Sequence, residues 1–252
     1  MAGSVLPADH VAADVRALRE RAPLVHCMTN VVVTGFTANV LLAVGASPAM
    51  VEAVEEAGEF AAVADALLVN VGTLTVPMAD AMRAAVMSGT PWVLDPVAVG
   101  AISYRTKFAV ELLDHGPAIV RGNASEILSL AGAESAAGKG VDSLAASDDA
   151  IEAATSLAKA HRCVVAVSGA VDYITDGATV LEIPGGDPVM TRVTGVGCAL
   201  GALMAAFTAV SESPLGASAV ASAFLASAAE RAVATAGGPG SFAVALLDQL
   251  AR

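Results

Sequence analysis

Short continuous apolar runs alternate with longer stretches of helical periodicity along most of this chain. Asp65–Asn70 (DALLVN), Pro91–Pro96 (PWVLDP), Ala118–Gly122 (AIVRG) and Cys163–Gly169 (CVVAVSG) are rich in Val, Leu or Ile, and polar, proline or glycine residues close them. Each reads as a strand. Their apolarity is continuous rather than alternating, which predicts strands covered on both faces and hence a parallel sheet. Helical patterns fill the gaps at Phe36–Val44, Val76–Ser88, Arg105–His115, Ala124–Ala131 and Asp148–His161. Asp172–Ile183 predicts a hairpin turning at Asp176-Gly177. Beyond it the pattern is almost wholly helical to Arg252. The series predicts a single doubly wound α/β domain over residues 1–252, mainly parallel and flanked by helices, with one antiparallel excursion. Ala131–Ser147 is small and polar, as a surface loop would be.

Composition narrows this picture. Hydrophobic residues make up 56% of the 252 positions and charged residues 15%. Such a chain hides much of its surface in a core or between subunits. Val193–Ser211 is uncharged, as is Ser213–Ala229. Both runs are mostly small residues without basic or aromatic flanks, so buried helices are expected rather than membrane spans. The formal net charge of −12 argues against a nucleic-acid partner, which needs clustered Lys and Arg. Small anions remain compatible, because backbone N–H groups can bind them. Cys27, Cys163 and Cys198 form no CxxC pair. A disulfide framework or structural zinc site is therefore not expected, and a reduced cytoplasmic setting is. The first residues lack a basic start followed by an apolar run, so no signal peptide is expected.

Ligands of doubly wound sheets bind at the carboxyl ends of the strands. The first of the strands above ends at Asn70. Asp95, Arg121 with Asn123, and Ser168 stand at the ends of the next three. Glu126 follows Asn123 by three residues, the spacing of a first helical turn behind an Asn cap. Each residue also has a plain structural reading. Asp95 before Pro96 fits a turn, Arg121 fits an ion pair, and Glu126 fits a capping box. Their joint placement is the signal for chemistry. Gly195-Val196-Gly197 then opens a helix, a turn that suits an anion such as a phosphate. It matches neither GxxxxGK[ST] nor GxGxxG. Cys198 falls in the first turn of that helix, where the helix field lowers a thiol pKa. The competing reading is a small apolar filler, which also fits Cys27 and Cys163. His10, His115 and His161 fall at polar helix ends, and nothing pairs His26 with Cys198.

Several stretches, in order over nearly the whole chain, resemble the hydroxyethylthiazole kinase family. They are PLVHCMTNVV (Pro23–Val32), FTANVLLAVGASPAM (Phe36–Met50), NVGTL (Asn70–Leu74), LDPVAVGA (Leu94–Ala101), RGNASEI (Arg121–Ile127), GKGVDS (Gly138–Ser143), MTRVTGVGCAL (Met190–Leu200) and GPGSF (Gly238–Phe242). The resemblance implies a ribokinase-like fold. It implies ATP- and Mg²⁺-dependent phosphorylation of the primary hydroxyl of 4-methyl-5-(2-hydroxyethyl)thiazole in thiamine salvage. It also implies homotrimers with the thiazole bound between neighbouring subunits. By position, Met50 and Gly195 would contact the thiazole substrate, Arg121 and Ser168 would contact ATP, and Asp95 and Glu126 would surround the metal. Cys198 takes the place of the base in ribokinase-like sugar kinases, here as a weak base and not a covalent nucleophile. The chain departs from the family pattern at Gly35 (for Asn), Val40 (for Gly), Ala98 (for Gly) and Val196 (for Thr). The first two touch the expected thiazole pocket. Val196 removes a hydroxyl donor but leaves the backbone of the turn. Two other readings stay open at this point: a related kinase for another small alcohol such as a hydroxymethylpyrimidine, and a catalytically weak relative that binds thiazole or nucleotide.

Overall fold

The computed structural model describes residues 8–135 and 147–252. The first part of the chain runs α1 (Ala8–Arg21), β1 (Leu24–Met28), α2 (Thr34–Val44), β2 (Ser47–Ala49), α3 (Val54–Val63) and β3 (Ala66–Asn70). It continues α4 (Val76–Val86), β4 (Trp92–Asp95), α5 (Ser103–Leu113), β5 (Ile119–Asn123) and α6 (Ala124–Ser135). The second part holds α7 (Ser147–His161), β6 (Val164–Ser168), β7 (Val171–Thr175), β8 (Val180–Pro184) and a 3₁₀ turn at Pro188–Arg192. The helices α8 (Val196–Thr208), α9 (Pro214–Val233) and α10 (Pro239–Leu250) close the chain.

The eight strands of the described residues form one sheet in the order β2-β1-β3-β4-β5-β6-β7-β8. Pairing is parallel from β2 through to β6. It is antiparallel from β6 through β7 to β8, so the predicted hairpin is the antiparallel excursion. One apolar core joins the sheet to α1, α2, α8, α9 and α10. The other joins its opposite face to α3 to α7. β3 to β6 are covered on both faces, which is why they read as unbroken apolar runs.

Two strands and three helices precede the point where the sequence pattern places its first strand. β1 (LVHCM) carries His26 at its centre, which interrupts the apolar run although the residue is fully buried. β2 (SPA) is three residues long and pairs at the sheet edge, where a proline is tolerated. α3 packs closely on α4: a Cβ at Gly58 would lie 3.2 Å from the Ala84 carbonyl oxygen. The predicted loop at 131–147 is shorter than expected, because α6 continues to Ser135 and α7 begins at Ser147. Its remainder, with the GKGVDS stretch, lies outside the described residues.

The uncharged run after Gly195 becomes α8, in which Val196 and every residue from Ala199 to Phe207 are buried. It lies between the sheet and α9, where Phe207 meets Phe224 edge-on with centroids 6.3 Å apart. Its apolarity on all sides answers to this enclosure. Among the described residues no helix is long and apolar enough to cross a membrane.

Candidate active site

The carboxyl ends of five adjacent parallel strands carry one polar row beneath the start of α8. Asn30 follows β1 by two residues and donates through Nδ2 to Asn70 Oδ1 (3.0 Å) at the end of β3. Asn70 donates to Asp95 Oδ2 (2.6 Å) at the end of β4. Asp95 Oδ1 lies 3.7 Å from Arg121 Nη1, on β5. Arg121 donates twice, through Nε (3.1 Å) and Nη2 (2.9 Å), to Ser168 Oγ at the end of β6. Strand register sets this order, since Asn70 pairs with Asp95 and Arg121 with Ala166. Asn70 Oδ1 also accepts the Gly72 N–H (3.0 Å). A Cβ at Gly72 would stand 2.8 Å from the Asn30 side chain, so the glycine admits that asparagine.

α8 enters above the row. Gly195 is its cap and takes φ +98°, a left-handed conformation suited to glycine. The first helical bond runs from the Ala199 N–H to the Gly195 carbonyl (2.8 Å). The N–H groups of Val196, Gly197 and Cys198 therefore stand ahead of the ladder, as an anion site needs. A Cβ at Gly197 would lie 3.1 Å from Arg121 Nη2. Gly197 thus lets the guanidinium come up against the helix start, adding its charge to the helix field. A cavity of about 520 Å³ opens here. Arg121, Ser168, Val196 and Gly197 line it, with Asp172, Gly186 and Met190 opposite.

The other residues expected at the site lie outside that lining. Asp95 is fully buried, and a Cβ at Gly201 of α8 would come within 3.6 Å of its Oδ2. Burial pushes its pKa up to about 7; the Glu126 charge acts in the same direction, while Arg121 and the Asn70 bond oppose it. Cys198 sits under the same influences. Burial raises its pKa and the Asp95 charge adds to this; contacts with Asn70, Arg121 and Asn30 only partly offset them. This corrects the expectation that the helix field lowers it: desolvation and a neighbouring carboxylate outweigh the dipole. Its Sγ accepts from Asn30 Nδ2 (3.5 Å), so it is a partner in the row and not an inert filler. Cys27 and Cys163 are buried, and burial alone carries the Cys27 pKa to about 12.

Glu126 forms the capping box that its spacing suggested. Asn123 Oδ1 accepts the Glu126 N–H (2.9 Å), and Glu126 Oε2 accepts the Asn123 N–H (2.9 Å). Its Oε1 accepts the Ala98 N–H (3.0 Å). Ala98, where the family carries glycine, holds φ +63°, an unfavourable conformation for a side-chain-bearing residue. Each Glu126 oxygen keeps one free lone pair, and Asp95 Oδ1 is buried without a hydrogen-bond partner among the described residues. These two mutually repelling carboxylates fit a hard cation that draws its other ligands from phosphate and water. Among the described residues no group of three His, Cys, Asp or Glu could hold a metal alone.

Met50 directly follows β2 and packs half-buried against the core that contains Val196. Val196 itself is 3% exposed and belongs to that core. Its side chain packs inward while its N–H remains at the helix start, so what the turn presents there is backbone. Gly35 has open space around it, enough for the asparagine the family carries there. Two participants escape the sequence reading. Asn30 lies behind the unrecognised β1. Asp172 starts as a hairpin residue, yet it lines the cavity with its carboxylate accepting the Gly169 N–H (3.0 Å). Burial raises its pKa.

The profile of the hydroxyethylthiazole kinase family matches residues 15–252. The chain belongs to the hydroxyethylthiazole kinase family. A hydroxyethylthiazole kinase of Tolumonas auensis is 59% identical over 251 residues, covering 97% of this chain and 94% of the relative. One from Leptospira borgpetersenii is 56% identical over 250 residues, covering 98% and 94%. The solved hydroxyethylthiazole kinase of Pyrococcus horikoshii superposes with a TM-score of 0.90 at 40% identity, covering 97% of this chain and 93% of that one. Bacillus subtilis pyridoxal kinase, solved with ADP, shares the fold alone, with a TM-score of 0.59 at 19% identity over 82% and 91% of the two chains. The ribokinase-like fold expected from the resemblance is the one observed.

Proposed function

We propose that this chain transfers the γ-phosphoryl group of ATP to the primary hydroxyl of 4-methyl-5-(2-hydroxyethyl)thiazole, with Mg²⁺, as a step of thiamine salvage. The observation that carries the reading is the polar row from Asn30 to Ser168 under the open N-terminus of α8. Phosphoryl transfer asks chiefly for positioning and charge neutralisation. The N–H groups of Val196, Gly197 and Cys198 hold the transferring phosphoryl group, and Arg121, seated on Ser168, steadies the nucleotide phosphates. Asp95 and Glu126 would hold Mg²⁺. Bound Mg²⁺ supplies neutralisation of the charge on the phosphate oxygens. The acceptor oxygen attacks the γ-phosphorus, the bond to the β-phosphate oxygen breaks, and ADP leaves. A loose transition state demands little of a base, which suits Cys198, whose burial favours the neutral thiol. Cys198 orients the hydroxyl, and its minor thiolate form is the weak base that takes the hydroxyl proton. Met50 and Gly195 contact the thiazole.

In the same reading the chain is a single catalytic domain of a cytoplasmic homotrimer, with the acceptor bound between neighbours. Val31 and Val32 support it. They follow Asn30 directly and are 70% and 66% exposed, an apolar rim beside the acceptor side of the row.

The test is ADP release with ATP and Mg²⁺, with the thiazole alcohol, with the hydroxymethylpyrimidine alcohol, and without acceptor. Release with the thiazole alcohol alone is expected. Release only with the pyrimidine would overturn the substrate assignment, and nucleotide binding without ADP in any arm would overturn the activity.

A further inference from the structure

His26 stands at the centre of β1, fully buried, one strand in from the sheet edge. It pairs in register with Ala49 of β2. Its Nε2 lies 2.7 Å from the Val51 carbonyl oxygen. A carbonyl only accepts, so Nε2 carries the proton and Nδ1 is left as a bare acceptor. Nδ1 is buried and has no hydrogen-bond partner among the described residues. The ring meets Phe60 of α3 edge-on, with centroids 5.1 Å apart. Burial lowers the pKa of the ring, against the opposing pull of the Val51 bond, and so favours the neutral form.

A phenyl ring would satisfy the packing here without burying an unpaired nitrogen, which is unfavourable. What the imidazole adds is its donor to Val51. That bond falls on a lightly held segment. Among the described residues, β2 has three residues and pairs only with β1, and residues 50–53 form an irregular connection to α3. Met50 sits in this connection, next to the residue that His26 grips.

We infer that His26 is a positioning residue that fixes Met50 at the acceptor pocket by tethering the Val51 carbonyl. It acts through backbone and does not touch the acceptor. The inference rests on the reading of Met50 as an acceptor contact. It separates the two substrates, because the tether lies at the β2 edge and the nucleotide cavity lies across the sheet at β5 and β6.

Two variants test it. His26→Phe keeps a ring but removes the donor, and His26→Gln restores an amide donor. KM for the acceptor alcohol that the wild-type protein uses, KM for ATP, and amide hydrogen exchange of residues 50–53 are measured in each. His26→Phe is expected to raise the acceptor KM about tenfold, the scale of one lost hydrogen bond. It should leave the ATP KM within about twofold and speed exchange at 50–53, with His26→Gln recovering most of both effects. An unchanged acceptor KM in a folded Phe variant would overturn the inference, as would parallel rises in both KM values. If the Phe variant does not fold, His26→Asn, too short to reach Val51, replaces it against Gln, and equal acceptor KM values for that pair overturn the inference. A wild-type protein inert toward the thiazole alcohol overturns the functional reading instead, and exchange at 50–53 still decides for or against His26.

Discussion

The two ends of the polar row are built differently. At the Ser168 end, Arg121 is 8% exposed, donates two bonds to one hydroxyl and lines a cavity. At the Asn30 end, the row runs out into the exposed Val31 and Val32, and Met50 hangs from an edge strand of three residues. One end borders a cavity; the other finishes in apolar surface. On the proposed reading, the nucleotide end is built by the fold itself and the acceptor end takes a covering surface from a neighbour. Asn70 and Asp95, in the middle, bind the ends to each other.

Changes along the row should separate these ends. The largest effect is expected from Arg121→Ala, which removes the guanidinium from the helix start. It should lower kcat/KM for ATP about 100-fold and leave the acceptor KM nearly unchanged in steady-state kinetics. Asn70→Ala acts on both ends, because it strips bonds from Asp95, Asn30 and the Gly72 N–H. Roughly a 30-fold loss of kcat is expected, with about 2 kcal/mol of stability lost to unpaired buried groups in a denaturant titration.

How much of this was legible depended on what each element shows locally. β3 to β6 announced themselves as apolar runs, and the polar residues closing them do face one edge. Their order in the row follows from strand register, which no local pattern states. Asn30 was hidden because His26 and the short β2 mask the first two strands. The placement of Cys198 in a first helical turn was readable, but the sign of its pKa shift was not. The helix dipole is visible in sequence; burial and the approach of Asp95 from another strand are not.

That sign is itself testable. Cys198→Ala should lower turnover about tenfold and leave residual activity, since the transition state needs little base, and Cys198→Asp should be tolerated. In the wild-type protein, alkylation at Cys198 should be slow at neutral pH and should accelerate only above the ordinary thiol pKa of 9.0, because burial and Asp95 raise its value. Fast alkylation at pH 7, located by peptide mass mapping, would restore the helix-field reading. A smaller effect belongs to Ala98. Ala98→Gly should relieve the left-handed strain and stabilise the fold by about 0.5–1 kcal/mol in thermal unfolding, with activity within about twofold.

The contrast between the ends is tested most directly by measuring KM for both substrates in Ser168→Ala and Asn30→Ala. Ser168→Ala should raise the ATP KM about tenfold and spare the acceptor KM; Asn30→Ala should do the reverse. Both variants raising the same KM, or each raising both values together, would contradict a site with a nucleotide end and an acceptor end.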